Sequence, residues 1–230
     1  MIGNKLEQSI IGIFESNLSE TFSINSISKI LNKAYPYINK KSKSLINEGV
    51  LGKINIGNSY QCYLNLKNDK AKIFLAMIEI NKKESLLKNS PQIINVINEL
   101  TQITAKFDIE TALLYKKNII LIQRNIKNSE FEKKRISDYT LLTQQYNLIL
   151  MSRKEFQDIF VNNEDLRKYH YVLINTENYV NIISEIYDIL LKNKILGNSS
   201  LGNNPIGENF FDTNKKNSKS INKNSKSKKL

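Results

Sequence analysis

The first 66 residues contain three helical patterns followed by two strand patterns, and this order restricts the possible folds strongly. Apolar residues recur at helical spacing over Leu6–Phe14 and over Ile24–Leu31. A third helix is predicted to begin near Pro36, since the missing N–H of proline is harmless in a first turn. Gly49 is predicted to end that helix, because glycine readily adopts the left-handed conformation.

The two strand patterns predict a hairpin directly after the third helix. Val50–Ile56 and Tyr60–Leu66 are separated by a Gly-Asn-Ser turn, and Cys62 alternates with apolar residues on one face. Three helices followed by a hairpin is the element order of a winged helix-turn-helix. We therefore predict an α+β protein whose N-terminal part is a winged helix-turn-helix.

The rest of the chain predicts three further segments. Residues 1–68 form the winged unit, 69–88 a linker or dimerisation helix, 89–192 a small α/β domain, and 193–230 a disordered basic tail. The α/β domain is predicted to begin with a fifth helix, which is buried through Ile93, Ile94, Ile97 and Leu100. Its predicted strands are Ile109–Tyr115, Asn118–Arg124, Leu148–Met151 and Tyr171–Ile174. Its other predicted helices are a polar one over Ser129–Tyr146, and Arg153–Phe160 and Thr176–Lys192.

Positive charge is concentrated at the two ends of the chain. Of the net charge of +12, residues 1–70 carry nine lysines and five acidic residues, a net +4. Residues 193–230 carry eight lysines and two acidic residues, a net +6, which leaves the middle nearly neutral. This asymmetry favours a nucleic-acid partner, although lysines also serve solubility alone.

The third helix carries the predicted DNA-reading residues. Lysine can donate to guanine or phosphate, asparagine can pair with adenine, and tyrosine can contact phosphate or a thymine methyl. A solvated lysine-rich face is the alternative interpretation of the same pattern. The predicted contacts of the helix are Tyr35, Tyr37, Asn39, Lys40, Lys41, Lys43, Ser44 and Asn47.

The hairpin and the tail are predicted to contact the DNA backbone. Lys53 on the first strand and Asn58 at the tip of the turn are the candidate wing contacts, unless the turn is an ordinary hairpin turn. The basic tail would hold phosphates non-specifically. The predicted partner is double-stranded DNA, bound by a homodimer.

Two stretches resemble archaeal winged-helix transcriptional regulators. They are Ser26–Lys41, which reads SISKILNKAYPYINKK, and Leu45–Lys53, which reads LINEGVLGK; the resemblance covers residues 5 to about 85. Ala34 and Ser42 depart from the usual capping and apolar residues of that family. The resemblance implies a DNA-binding regulator.

The second half is similar to a nucleotidyltransferase-like domain that follows the winged unit in many such proteins. The similarity lies in Leu150–Phe156 and in Tyr171–Tyr179. An active enzyme of that family would show Gly-Ser, a spacer and an Asp-x-Asp pair that holds Mg²⁺. Here Tyr115 continues through two lysines into Asn118, so the resemblance implies a domain without its active site.

No other chemistry is indicated by the sequence. His170 is the only histidine and Cys62 the only cysteine, so we expect no zinc site and no internal disulfide. We predict no catalytic residue, no cofactor and no metal, a cytoplasmic location and no membrane span. The competing interpretations are a nucleotidyltransferase-related protein and a protein-interaction module that keeps the winged fold without reading DNA.

Overall fold

The computed structural model describes residues 4–56, 59–124, 126 and 129–195. Its first elements are α1 (Lys5–Glu15), α2 (Ile24–Ile30), α3 (Tyr35–Asn47), β1 (Leu51–Ile56) and β2 (Ser59–Leu64). Strand β1 pairs antiparallel with β2, and Phe22, which lies between α1 and α2, adds an isolated bridge to Cys62 on β2. The predicted order of three helices and a hairpin is confirmed.

Short polar side chains determine where these helices begin. Asn4 caps α1 in a capping box with Glu7, and the Ser23 hydroxyl accepts a hydrogen bond from the backbone N–H of Ser26 at the start of α2. Ala34 supplies no side-chain cap to α3, which has Pro36 in its first turn. Gly49 follows α3 with a φ of +72°, a conformation that favours glycine.

Within the described ranges, the chain from residue 69 onward forms a four-stranded mixed sheet and six α-helices. Its elements are α4 (Asp69–Asn89), α5 (Ile93–Phe107), β3 (Ile109–Tyr115), β4 (Asn118–Gln123), α6 (Ser129–Tyr139), a 3₁₀ turn (Leu142–Gln144), β5 (Asn147–Ser152), α7 (Arg153–Asn162), α8 (Glu164–Tyr169), β6 (His170–Ile174) and α9 (Thr176–Ile195). The strand order is β5-β4-β3-β6, with β4 parallel to β5 and with β3 antiparallel to β4 and β6. The protein is therefore α+β, as predicted.

Helices cover both faces of this sheet. Every residue of β3 and β4 is buried, and successive side chains alternate between two separate hydrophobic clusters. Leu113 and Ile120 pack in the cluster that includes α4, α7 and α9. Ala112 and Leu121 pack in the other, which includes α5 and α6.

One hydrophobic core joins the N-terminal unit to the sheet. This core runs from Ile10 on α1 through Phe74 and Leu75 on α4 to Ile183 on α9 and Ile120 on β4. Phe74 and Leu75 are fully buried. Helix α4, predicted as a linker, thus packs against α1, α9 and β6 of its own chain.

The buried face of α5 differs from the predicted one. Ile94 is 47% exposed and Ile97 is only partly buried. The residues that reach the core are Ile93, Val96, Leu100, Ile103 and Phe107. They are spaced by three, four, three and four residues, which places them on one face of the helix.

Two predicted helix ends also differ from the observed ones, and one observed helix was not predicted. Helix α6 ends at Tyr139 instead of Tyr146, and Leu142–Gln144 forms a separate 3₁₀ turn. Helix α8 has no counterpart among the predicted elements and is capped by the side chain of Asn163. Helix α9 continues to Ile195, so the first residues of the predicted tail are helical. Within the described ranges, no helix is both long and apolar enough to cross a lipid bilayer.

We predict that Phe74→Ala destabilises both halves of the protein together. Loss of a fully buried phenyl ring should lower the free energy of unfolding by about 3–5 kcal/mol. Ile80→Ala on the exposed side of α4 is the control, with an expected loss of about 1 kcal/mol or less. Denaturant unfolding followed by circular dichroism and tyrosine fluorescence measures both; two separated transitions would contradict the shared core.

Candidate nucleic-acid interface

Helix α3 presents one polar face to solvent. Ile38, Ser42 and Leu45 are buried on the opposite face. Successive residues of an α-helix are rotated by about 100° around its axis. The positions opposite the buried stripe, in the middle of the exposed face, are therefore Lys40, Lys43 and Asn47. Those three residues are exposed, and Tyr37, on the edge of the same face, is 70% exposed.

Two of the predicted contact residues are engaged within the chain. The ammonium group of Lys41 lies 2.9 Å from Oε1 of Glu7 on α1 and lowers the pKa of that carboxyl. The hydroxyl of Ser44 donates to Glu48 over 2.9 Å. Glu48 also pairs with Lys70, and its hydrogen bonds from Lys70 and Ser44 lower its pKa.

The remaining predicted residues of α3 lie near its N-terminus. Tyr35 is the first residue of the helix and is exposed, and Asn39 is half-buried beside the exposed face. The first turn contains no acidic residue and Ala34 makes no side-chain cap. The positive end of the helix dipole is therefore not offset by a local carboxylate.

The hairpin places one lysine beside an aromatic ring. Lys53 on β1 is exposed, and its ammonium nitrogen lies 5.9 Å from the ring centroid of Tyr60 on β2. A Cβ at the neighbouring Gly52 would lie 2.1 Å from the far end of the Tyr63 ring, so a larger residue there would have to displace that ring. Asn58 lies outside the described residues.

Sequence reasoning overlooked two exposed side chains close to α3. Lys33 precedes the helix by two residues, and Ile30 at the end of α2 is 55% exposed. The turn between them contains Asn32 with a φ of +48°. The exposure of Ile30 could be predicted from the sequence, because Ile24 and Ile27 are enough to form the buried face of so short a helix.

The resulting surface is basic. Lys40, Lys43 and Lys53 have no carboxylate within ion-pair distance in the part of the chain that the structure describes. Their ammonium groups are hydrogen-bond donors without acceptor capacity, so this surface is suited to an anionic partner.

A second polar cluster is buried where the N-terminal unit meets the sheet. Glu79 on α4 is 1% exposed and His170, the first residue of β6, is fully buried. His170 Nε2 lies 3.5 Å from Glu79 Oε1, and Nδ1 lies 2.8 Å from the carbonyl oxygen of Leu166. Lys82 bridges Glu79 and Glu15, at 3.3 and 2.7 Å.

This geometry defines the protonation of the cluster. Because a carbonyl only accepts hydrogen bonds, Nδ1 of His170 carries a proton and donates it to the carbonyl oxygen of Leu166. Burial alone would raise the pKa of Glu79, but His170 and Lys82 outweigh burial and lower that pKa to about 2. Burial and Glu79 raise the pKa of Glu15.

The buried cluster connects elements and is closed to substrates. It joins α1, α4 and β6, and both Glu79 and His170 are inaccessible to a molecule in solution. In the described residues, no three or more His, Cys, Asp or Glu side chains form a group that could hold a metal ion. Cys62 is also buried, as predicted, and burial raises its pKa to about 11.

The turn between β3 and β4 is too short to contain the carboxylate-bearing segment of an active nucleotidyltransferase. Tyr115 on β3 is directly opposite Asn118 on β4, so only Lys116 and Lys117 form the turn between the two strands. Lys116 adopts a positive φ of 56° in that turn. The two strands are antiparallel neighbours along their whole length.

We predict that Glu79→Gln lowers stability at neutral pH and flattens the acid limb of the stability curve. The folded-state pKa of Glu79 lies below its ordinary value of 4.5. Its contribution is therefore complete above pH 4.5 and is lost as the pH falls towards 2. Melting temperatures between pH 7 and pH 2, with exposed Glu84→Gln as the control, measure this difference. Parallel curves for the wild type and Glu79→Gln would contradict it.

Similarity to known proteins adds nothing to this geometry. No protein-family model, curated protein or solved structure matches the chain. Its function is therefore inferred from its own side chains.

Proposed function

We propose that this protein is a transcriptional regulator that binds double-stranded DNA sequence-specifically through a winged helix-turn-helix made of α1, α2, α3, β1 and β2. The observation that carries the proposal is the outward face of α3. Lys40, Lys43 and Asn47 are exposed there, whereas the neighbouring acids Glu7 and Glu48 are paired with other lysines. Positive charge on this face is thus unopposed.

These side chains match the chemistry of a duplex. An α-helix fits the major groove, where lysine can donate to guanine O6 and N7 and asparagine can pair with adenine N6 and N7. The N-terminus of α3 and Lys53 on the hairpin are suited to phosphate oxygens, which would position the helix. Lys41 and Ser44, being engaged within the chain, have no part in the proposed contact.

The second half is proposed as a scaffold without catalysis. Its sequence resembles a nucleotidyltransferase-like domain, but its β3–β4 turn is too short for the carboxylate-bearing segment. A homodimer, if formed, would use surface that the single chain leaves uncovered, such as Ile73 and Ile80 on α4. Sedimentation analysis tests the dimer independently of DNA.

A protein-interaction module is the second candidate. It is favoured by Tyr35 and Tyr37, two exposed aromatic side chains on the candidate face, because tyrosine is enriched in protein interfaces. A protein partner would need these rings and would tolerate the loss of lysine charge. DNA binding requires the lysines, so charge removal separates the two functions.

We predict that Lys40→Ala/Lys43→Ala weakens binding to a duplex selected from a random pool by about tenfold or more at moderate salt, because each lysine lost from the duplex surface removes about one released counterion. The slope of log affinity against log salt should fall by about two. Lys88→Ala/Lys134→Ala is the matched control, since it removes the same charge from exposed positions on α4 and α6.

Equal weakening by both double variants would mean that only overall charge matters and would contradict the proposal. Failure of the selection to enrich any sequence, with affinity lost only when the chain is shortened to end at Lys192, would contradict it as well. In that case the interaction module becomes the better explanation.

A further inference from the structure

One edge of the four-stranded sheet opens into a cavity. Strands β4, β5 and β6 end at this edge and β3 begins there, since Ile109 and Ser152 are both paired with Gln123. Helices α7 and α9 start directly after β5 and β6. The crevice beyond the carboxyl ends of parallel strands is where open α/β sheets bind their ligands.

Two arginines are held in place at this edge by one carboxylate. Glu110, 8% exposed, accepts from Arg124 Nε at Oε1 and from Arg153 Nε at Oε2, both over 3.1 Å. Its backbone carbonyl accepts from the side-chain amides of Asn175 and Asn178, at 3.1 and 2.8 Å. Glu110 is therefore held in place through both its carboxylate and its backbone carbonyl.

The fixed arginines retain capacity for a ligand. A guanidinium group carries five N–H donors, and Glu110 takes only the Nε donor of each arginine. Arg153 also donates to Glu185 over 2.9 Å, whereas the side chain of Arg124 is 70% exposed. Lys154, the second residue of α7, is exposed beside them.

The cavity next to these cations has an apolar wall. Its volume is about 510 Å³, within the range of small-molecule sites. Arg124, Arg153 and Lys154 line one part, and Val161, Ile186 and Ile189 line another. Ile189 is 49% exposed, so it offers apolar surface that a ligand can cover.

We propose that this cavity binds a small molecule with an anionic group and an apolar body. The anionic group, a phosphate or a carboxylate, would accept hydrogen bonds from Arg124 and Lys154. The apolar body would lie against Val161 and Ile189. Glu110 acts as a positioning residue that keeps the arginines oriented before the ligand arrives, which lowers the entropic cost of binding. This site is separate from α3 and does not depend on DNA binding.

The test is a titration of the full chain labelled at isoleucine δ1 methyl groups. Phenyl phosphate and benzoate are the anionic probes, inorganic phosphate lacks the apolar body, and benzyl alcohol lacks the charge. We expect phenyl phosphate, benzoate or both to shift the methyl resonances of Ile186 and Ile189. The more strongly bound of the two identifies the anionic group. Inorganic phosphate and benzyl alcohol should bind more weakly.

Two variants examine the role of the cations. Arg124→Gln/Lys154→Gln should weaken binding of the preferred probe by about tenfold or more, because hydrogen bonds between charged groups are lost. Lys154→Gln alone leaves the Arg124–Glu110 pair intact and should weaken it less, while Lys134→Gln on α6 should leave it unchanged. Absence of methyl shifts, benzyl alcohol binding as well as the anions, or unchanged affinity in both variants would overturn the proposal.

Discussion

The structure depends on the burial of α4 between its two halves. Phe74 and Leu75 lie in the same hydrophobic core as α1 on one side and α9 and the sheet on the other. Glu79 lies on the same helix, and its carboxylate is tolerated there because His170 and Lys82 supply positive charge. A buried carboxylate without such partners would cost several kcal/mol. The N-terminal unit and the sheet are therefore expected to unfold as one body.

The same packing orients the polar face of α3. Three lysines follow closely in its sequence, and the helical repeat does not allow all of them to face outward. Lys41 is directed to Glu7 on α1, so Lys40 and Lys43 remain for a partner. Pairing of the nearby acids with Lys41 and Lys70 removes competition for these cations. The positive charge available for the proposed DNA contact is thus determined by tertiary contacts more than by composition.

Local patterns predicted most of the elements. Apolar periodicity located α1, α2 and α9, Gly49 located the end of α3, and alternation located the β1–β2 hairpin. Local patterns failed where more than one set of apolar residues could form the buried face of a helix. Ile94 and Val96 on α5 are both apolar, and only packing against the sheet shows that Val96 is buried. The Glu79–His170 contact and the Glu110–Arg124–Arg153 cluster join residues far apart in the chain, so no local pattern could predict them. The Lys41–Glu7 pair joins α3 to α1 and lies outside local patterns for the same reason.

The central claim is that the outward face of α3 contacts the duplex. Chemical acetylation of lysines, quantified by mass spectrometry with and without a selected duplex, measures this contact at each residue in the unmodified sequence. The account predicts that DNA protects Lys40 and Lys43 strongly and Lys53 to a lesser degree, while Lys88 and Lys134 react as before. Protection confined to lysines outside α3 and the hairpin, with Lys40 and Lys43 as reactive as in free protein, would contradict it.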